Sequence, residues 1–150
     1  MIESHTNLWV QGPRDFIGIT TNGFVKHNGE AVMGRGCARE AALLWPIAPR
    51  LLGRHIKQCG NVPGWLQFPG RGTDPGNRIM ILPVKHNWWE PADLGLIEKS
   101  VEWLRDEAMA HPENTYHVPR FGCGNGRLSW EKDVKAKMVI LPNNVTVHSR

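Results

Sequence analysis

The chain has 150 residues, a length that supports one domain with a sizeable core. With 41% hydrophobic and 21% charged residues it is neither a disordered nor a fibrous chain, and no apolar run is long enough to span a bilayer. A net charge of +4 and a pI of about 9.2 fit either a phosphate-bearing or nucleic-acid partner or an ordinary basic surface, since the lysines and arginines form no polybasic run.

The N-terminus Met1-Ile2-Glu3-Ser4-His5 lacks the basic-then-apolar order of a secretion signal, so a cytoplasmic protein is expected. Cys37, Cys59 and Cys123 form no Cys-x-x-Cys pair and read as reduced thiols. The seven histidines never take the four-residue helical spacing of a metal pair beside an acidic partner, so no metal or other cofactor is expected. A monomer away from membranes is the expectation.

Two short strands are predicted at Asn7–Val10 and Phe16–Ile19, joined by the turn Gln11-Gly12-Pro13-Arg14-Asp15. The second ends in Thr20-Thr21-Asn22-Gly23, small polar residues at the carboxyl end of a strand, where open α/β sheets hold their ligands. Asn22-Gly23 reads equally as a two-residue turn. A loop then leads to Met33-Gly34-Arg35-Gly36, and helix formers follow from Cys37 to Trp45, stopping at Pro46. A second helix is predicted over Pro49–Gln58, with Leu51, Leu52 and Ile56 inward and Gly60 as its stop.

Trp65–Phe68 and Arg78–Pro83 read as a hairpin pair across the polar loop Gly70–Gly76. Ile79-Met80-Ile81-Leu82 is apolar without alternation, as a strand covered on both faces should be. Just past it, Lys85 is either a solvated loop charge or an active-site cation, and Trp88-Trp89 reads as packing rather than a base-stacking platform. Asp93 caps the longest predicted helix, about Leu94–His111, with Leu94, Ile97, Val101, Leu104 and Ala108 as its apolar stripe. A strand at Tyr116–Val118, a helix from Trp130 to about Leu141 and a strand at Val145–Val147 complete the chain.

Between the Tyr116 strand and the Trp130 helix lies Phe121-Gly122-Cys123-Gly124-Asn125-Gly126-Arg127-Leu128-Ser129-Trp130. Three glycines at alternate positions before a capped helix suit an anion, because backbone N–H groups can face it and the helix dipole favours negative charge. Such turns also occur as plain tight connections. Gly34 and Gly36 repeat the arrangement, so the pair suggests a ligand with more than one phosphate. The alternation of strands and helices predicts a single three-layer α/β/α domain over residues 1–150, with a mixed central sheet.

In these loops the chain resembles the macrodomains, the ADP-ribose-binding α/β/α family. Thr20-Thr21-Asn22 with Met33-Gly34-Arg35-Gly36-Cys37-Ala38 is similar to the first ligand loop and its helix, and Phe121–Leu128 with Trp130 to the second. Pro83-Val84-Lys85-His86-Asn87-Trp88-Trp89 is similar to the lysine-bearing strand end of the branch containing the DarG-like DNA ADP-ribosyl glycohydrolases and the terminal ADP-ribose glycohydrolases. Two departures stand out. Residues Gly23–Val32 lengthen the first loop, and Gly126 stands where the terminal ADP-ribose glycohydrolases carry an acidic residue, a position that is glycine in the DarG-like pattern. The Asn-Ala-Ala-Asn first loop of the most familiar mono-ADP-ribosyl hydrolases is missing.

The resemblance implies that Lys85 is the main catalytic residue and that Asn22 lies near the distal ribose. It places ADP-ribose against Thr20, Thr21, Asn22, Met33, Gly34, Arg35, Gly36, Phe121, Gly122, Cys123, Gly124, Asn125, Gly126 and Arg127, with the Phe121 ring against a sugar or base. The implied activity is release of ADP-ribose from a macromolecule, with nucleic acid favoured over protein as acceptor. A non-catalytic ADP-ribose-binding module and a phosphatase for ADP-ribose 1″-phosphate are the alternatives. Cys123, between two glycines, reads as a buried filler rather than a nucleophile.

Overall fold

The computed structural model describes residues 1–9, 12, 15–70, 72 and 74–149. Six strands form one sheet: β1 (Ile2–Ser4), β2 (Asp15–Asn22), β3 (Gly64–Trp65), β4 (Ile79–Lys85), β5 (Thr115–Pro119) and β6 (Val145–His148). Their order is β1-β6-β5-β2-β4-β3, with every pairing parallel except β3 against β4. The sheet is therefore mixed, and the molecule is a three-layer α/β/α domain.

The helices α1 (Gly36–Leu44) and α2 (Ala48–Cys59) cover one face, where Ala38, Ala41, Leu51 and Leu52 pack on Ile17, Ile19, Ile79 and Ile81. The other face takes α3 (Leu94–Ala110), a π-helical turn at Trp130–Val134 and α4 (Lys135–Met138), packed on Met80, Leu82, Tyr116 and Val118. Four consecutive buried positions, Ile79 to Leu82, serve both cores in alternation, which is why β4 reads as an unbroken apolar run.

Several elements differ from the sequence expectation. Asn7–Trp9 form a turn, not a strand, while Val10 and most of the predicted turn at Gln11, Pro13 and Arg14 lie outside the described residues, as do Arg71 and Thr73 of the polar loop. The edge position belongs instead to Ile2–Ser4, paired with β6. Only Gly64 and Trp65 form the short hairpin partner of β4, although the Leu66 amide still donates to Ile79 O at 2.9 Å. In α3, Leu94 is exposed, and Leu96 and Ser100 complete the buried stripe. Ser100 is tolerated there because its hydroxyl donates to Pro83 O at 2.7 Å. The final helix ends at Met138, three residues before Leu141.

Candidate functional site

The carboxyl ends of β2 and β4 lie side by side. Thr20 pairs with Leu82 and Thr21 with Pro83, and a register shift between Thr21 and Asn22 brings Asn22 opposite Lys85. The shift falls where Pro83 has no N–H for the ladder, a local reason for the irregularity.

Asn22 is engaged by its own loop. Its side-chain amide donates to Val32 O at 2.9 Å and its carbonyl accepts from the Phe24 amide at 3.0 Å, so it clamps both ends of the long first loop. From the connection after α2, Asn61 donates to Lys85 O at 2.9 Å and so anchors the end of β4. Lys85 itself is half-buried, and its ammonium donates to Trp88 O at 3.3 Å. Partial burial, then the positive charges of Arg127 and Arg35, pull the Lys85 pKa below the usual lysine value. The two arginines come from different loops, so both glycine loops converge on the end of β4. Among the described residues no carboxylate lies within 4.0 Å of Lys85, Arg35 or Arg127.

The first loop ends at α1, whose cap position is Arg35. That residue has extended backbone and no side-chain capping bond, and the first turn holds no acidic residue. Its first-turn amides are therefore open to an anion. Gly36 adopts φ +59°, and a Cβ there would lie 3.9 Å from Asn125 Nδ2, so the two loops adjoin.

In the second loop Gly122 (φ +70°) has no room for a side chain, since a Cβ would meet Ala92 Cβ at 2.8 Å and Ile97 Cδ1 at 3.0 Å. Gly126 O accepts from the Ala92 amide at 2.9 Å while the Asp93 amide donates to Val84 O at 2.8 Å, tying loop and strand end together. The amides of Gly124, Asn125 and Gly126 donate to no acceptor among the described residues. The following helix is less open than its sequence suggested. Ser129 Oγ accepts from Lys132 N at 3.2 Å, Ser129 N donates to Asp133 Oδ2 at 2.7 Å, and Glu131 and Asp133 stand in the first turn. That terminus is capped and acidic, which disfavours an anion there.

Of the other expected contacts, Phe121 is 0% exposed and belongs to the core beneath the loop, so its ring is not presented to a ligand. Met33 and Thr21 are buried as well, and the Thr21 hydroxyl has no hydrogen-bond partner among the described residues. Cys37 Sγ lies 3.4 Å from the Thr20 amide and 3.5 Å from its hydroxyl, and burial raises its pKa. Burial likewise pushes Cys123 up to about 11, which leaves it little thiolate at neutral pH. Trp88 and Trp89 are not core packing: each is half exposed beside Lys85. No sequence signal separated a buried from an exposed indole pair at this point in the chain. Among the described residues no group of three His, Cys, Asp or Glu is placed to hold a metal ion.

No protein-family model and no curated protein sequence matches the chain. Solved structures do. The macrodomain of Mycobacterium tuberculosis DarG superposes with a TM-score of 0.73 at 20% identity, over 98% of this chain and 95% of that one. The macrodomain of Thermus aquaticus DarG gives 0.75 at 20% identity, over 99% and 97%. Thermosipho africanus DarTG in complex with ADP-ribose gives 0.66 at 17% identity, over 90% of this chain and 37% of that one. The chain thus has the macrodomain fold, in the arrangement that the DarG macrodomains share.

Proposed function

We propose that the cleft between the two glycine loops binds ADP-ribose and that Lys85 promotes hydrolysis of its bond to an acceptor, with nucleic acid favoured over protein. The observation that carries this reading is the convergence of Lys85, Arg35 and Arg127 beside the start of α1 and the amides of Gly124, Asn125 and Gly126, with no neutralising carboxylate and no acceptor for those amides among the described residues. A diphosphate answers each of these needs. Each hydrogen bond donated by a backbone amide to a charged oxygen contributes about 1.5–3 kcal/mol, so a few suffice to anchor the ligand.

With the diphosphate so held, the sugar it carries extends toward the paired ends of β2 and β4. Breaking the anomeric bond leaves positive charge on the sugar and negative charge on the departing acceptor. The Lys85 ammonium donates a proton to that acceptor, and water then adds to the anomeric carbon and returns a proton to the Lys85 amine. A lowered pKa eases the donation, while bound phosphates hold enough of the amine protonated. Asn22 positions the loop, since its side-chain nitrogen holds Val32 O and its oxygen holds the Phe24 amide, and a neutral carboxamide is no general acid.

The similarity to a DarTG structure containing ADP-ribose supports the choice of ligand. Hydrolysis of ADP-ribosylated oligonucleotide and protein should be compared for wild type and Lys85→Ala, with ADP-ribose affinity measured by calorimetry. Full turnover by the variant removes Lys85 from the mechanism. Binding without turnover by the wild type leaves a recognition module, and phosphate release from ADP-ribose 1″-phosphate identifies a phosphatase.

A further inference from the structure

The loop 23–32 joins two surface features outside the phosphate-facing loops. At one end, Trp88 and Trp89 leave 51% and 50% of their surface exposed. Their rings stand at 87° with centroids 5.4 Å apart, and Trp89 meets Phe24 edge-on at 5.4 Å. This aromatic wall is bonded to both site residues, through Lys85 Nζ to Trp88 O at 3.3 Å and through the Phe24 amide to Asn22 Oδ1 at 3.0 Å.

At the other end, Asn28 and Gly29 line a concavity of about 310 Å³ with Arg50, Arg54 and Lys57. These three cations are spaced along one face of α2. None has a carboxylate within 4.0 Å among the described residues. The loop sits directly on the helix, since a Cβ at Gly53 would meet Gly29 O at 2.0 Å. Four residue steps separate Phe24 from Asn28, so their backbones are at most about 14 Å apart. The loop's own carboxylate, Glu30, is held by Lys26 at 3.7 Å and Asn28 at 3.2 Å, and Glu90 beside the indoles by Asn87 at 2.6 Å.

Exposed indoles beside a row of unneutralised cations match the chemistry of an unpaired nucleic-acid strand, whose bases stack on aromatic faces and whose phosphates seek positive charge. Such a strand covers the indoles with its bases while its phosphates satisfy the cations. We propose that Trp88, Trp89 and the Arg50, Arg54, Lys57 face of α2 form one surface for single-stranded nucleic acid, its backbone over α2 and a base on the indoles. As a route bringing substrate to Lys85, the surface rests on the ADP-ribosyl hydrolase reading; as a binding site it does not.

The test is fluorescence anisotropy of a labelled single-stranded oligothymidylate against the full chain over a range of salt, with ADP-ribose calorimetry in parallel. Trp88→Ala with Trp89→Ala weakens oligonucleotide binding at least fivefold with little change in salt slope, and the phenylalanine replacements retain most of it. Arg50→Gln, Arg54→Gln and Lys57→Gln together reduce the slope of log K against log salt by about 2, since each single-strand phosphate contact contributes about 0.7. Neither set alters ADP-ribose affinity by more than about twofold. The proposal is overturned if wild type does not bind the oligonucleotide, if either set binds it as wild type does, if duplex binds as tightly, or if an acidic peptide competes equally well. Equal loss of ADP-ribose affinity in the tryptophan variants also overturns it, because the wall then belongs to the ADP-ribose pocket. Oligonucleotide binding with these dependences but no ADP-ribose binding upholds the surface and removes the hydrolase reading.

Discussion

A Cβ on Gly126 would fall 2.3 Å from the carbonyl oxygen of Gly122, so the second loop closes on itself too tightly for any side chain at that position. The lack of a carboxylate there is thus a property of the loop's path. Gly124, two residues away, has nothing within 4 Å of its Cβ position. Gly126→Ala should lower the melting temperature by about 2–12 °C, the range that overpacking by 1–3 kcal/mol gives in a domain of this size. Gly124→Ala should leave it nearly unchanged. Thermal unfolding of the two variants, followed by circular dichroism, checks the contrast, and equal melting temperatures would refute it.

Asn22 is predicted to hold the first loop. Asn22→Ala strands Val32 O and the Phe24 amide, at a cost of about 1–3 kcal/mol. Amide exchange over residues 23–32 should accelerate at least fivefold, with α3 unaffected. Asn22→Asp keeps the acceptor for Phe24 but sets a carboxylate against Val32 O, and should loosen the Val32 end more than the Phe24 end. Hydrogen-exchange mass spectrometry resolves the two segments.

The Lys85 assignment carries a pH signature. Its pKa is lowered in the free protein by burial and by Arg127 and Arg35, whereas a bound diphosphate raises it again. A proton donor loses activity as pH rises through its pKa. The alkaline limb of kcat/KM, which reports free enzyme, should therefore lie at lower pH than that of kcat, which reports the complex. Coincident limbs would argue against Lys85 as the donor.

Thiol chemistry should bypass the second loop. With its pKa at about 11, Cys123 at pH 7.5 carries roughly 300-fold less thiolate than an ordinary thiol of pKa 8.5. Cys37 is also raised by burial, and Cys59 is exposed. Iodoacetamide at pH 7.5 should label Cys59 first, as peptide mapping will show, and Cys123→Ala should retain hydrolysis.

Away from the cleft, Asp15, His117 and His148 form a chain: His117 Nε2 lies 3.0 Å from Asp15 Oδ1, and His117 Nδ1 lies 2.8 Å from His148 Nε2. His148 is 3% exposed, and its pKa is lowered by burial despite the Thr6 carbonyl, with the His117 charge adding to the fall. A histidine depressed in the folded state is protonated more readily when unfolded, so stability falls as pH drops below about 6.5 toward the folded value. Burial alone would raise Asp15, but His117, the Gly12 amide and Arg78 hold it below the usual carboxylate value, so its contribution persists until the pH falls below about 4. Melting temperature should decline from pH 7 to pH 5, and His148→Gln should flatten that decline.

Much of the architecture was legible in residue type and spacing. The unbroken apolar run of β4 and the Asp93 cap follow from residue type, and the α3 stripe follows from spacing except at Leu94, which is exposed. What escaped the sequence depended on contacts between distant segments. Ile2–Ser4 has too few residues for a pattern and becomes a strand only because β6 lies beside it. Phe121 and Met33 stand next to loop glycines in sequence, yet the backbone turns their side chains into the core. Ser129 and Asp133 cap their own helix, so of the two expected anion-facing helix starts only that of α1 is open. The exposure of Trp88 and Trp89 escaped the sequence because exposure is not a property of a dipeptide.

The pairing of β1 with β6 bears on how the molecule is made. Among the described residues Ile2–Ser4 pairs with Val145–His148 alone, and β5 has that strand on its outer side. Because Ile2 pairs with Thr146, this contact is among the least local in the sheet, and closing it carries a loop-closure cost that strand pairs nearer in sequence do not.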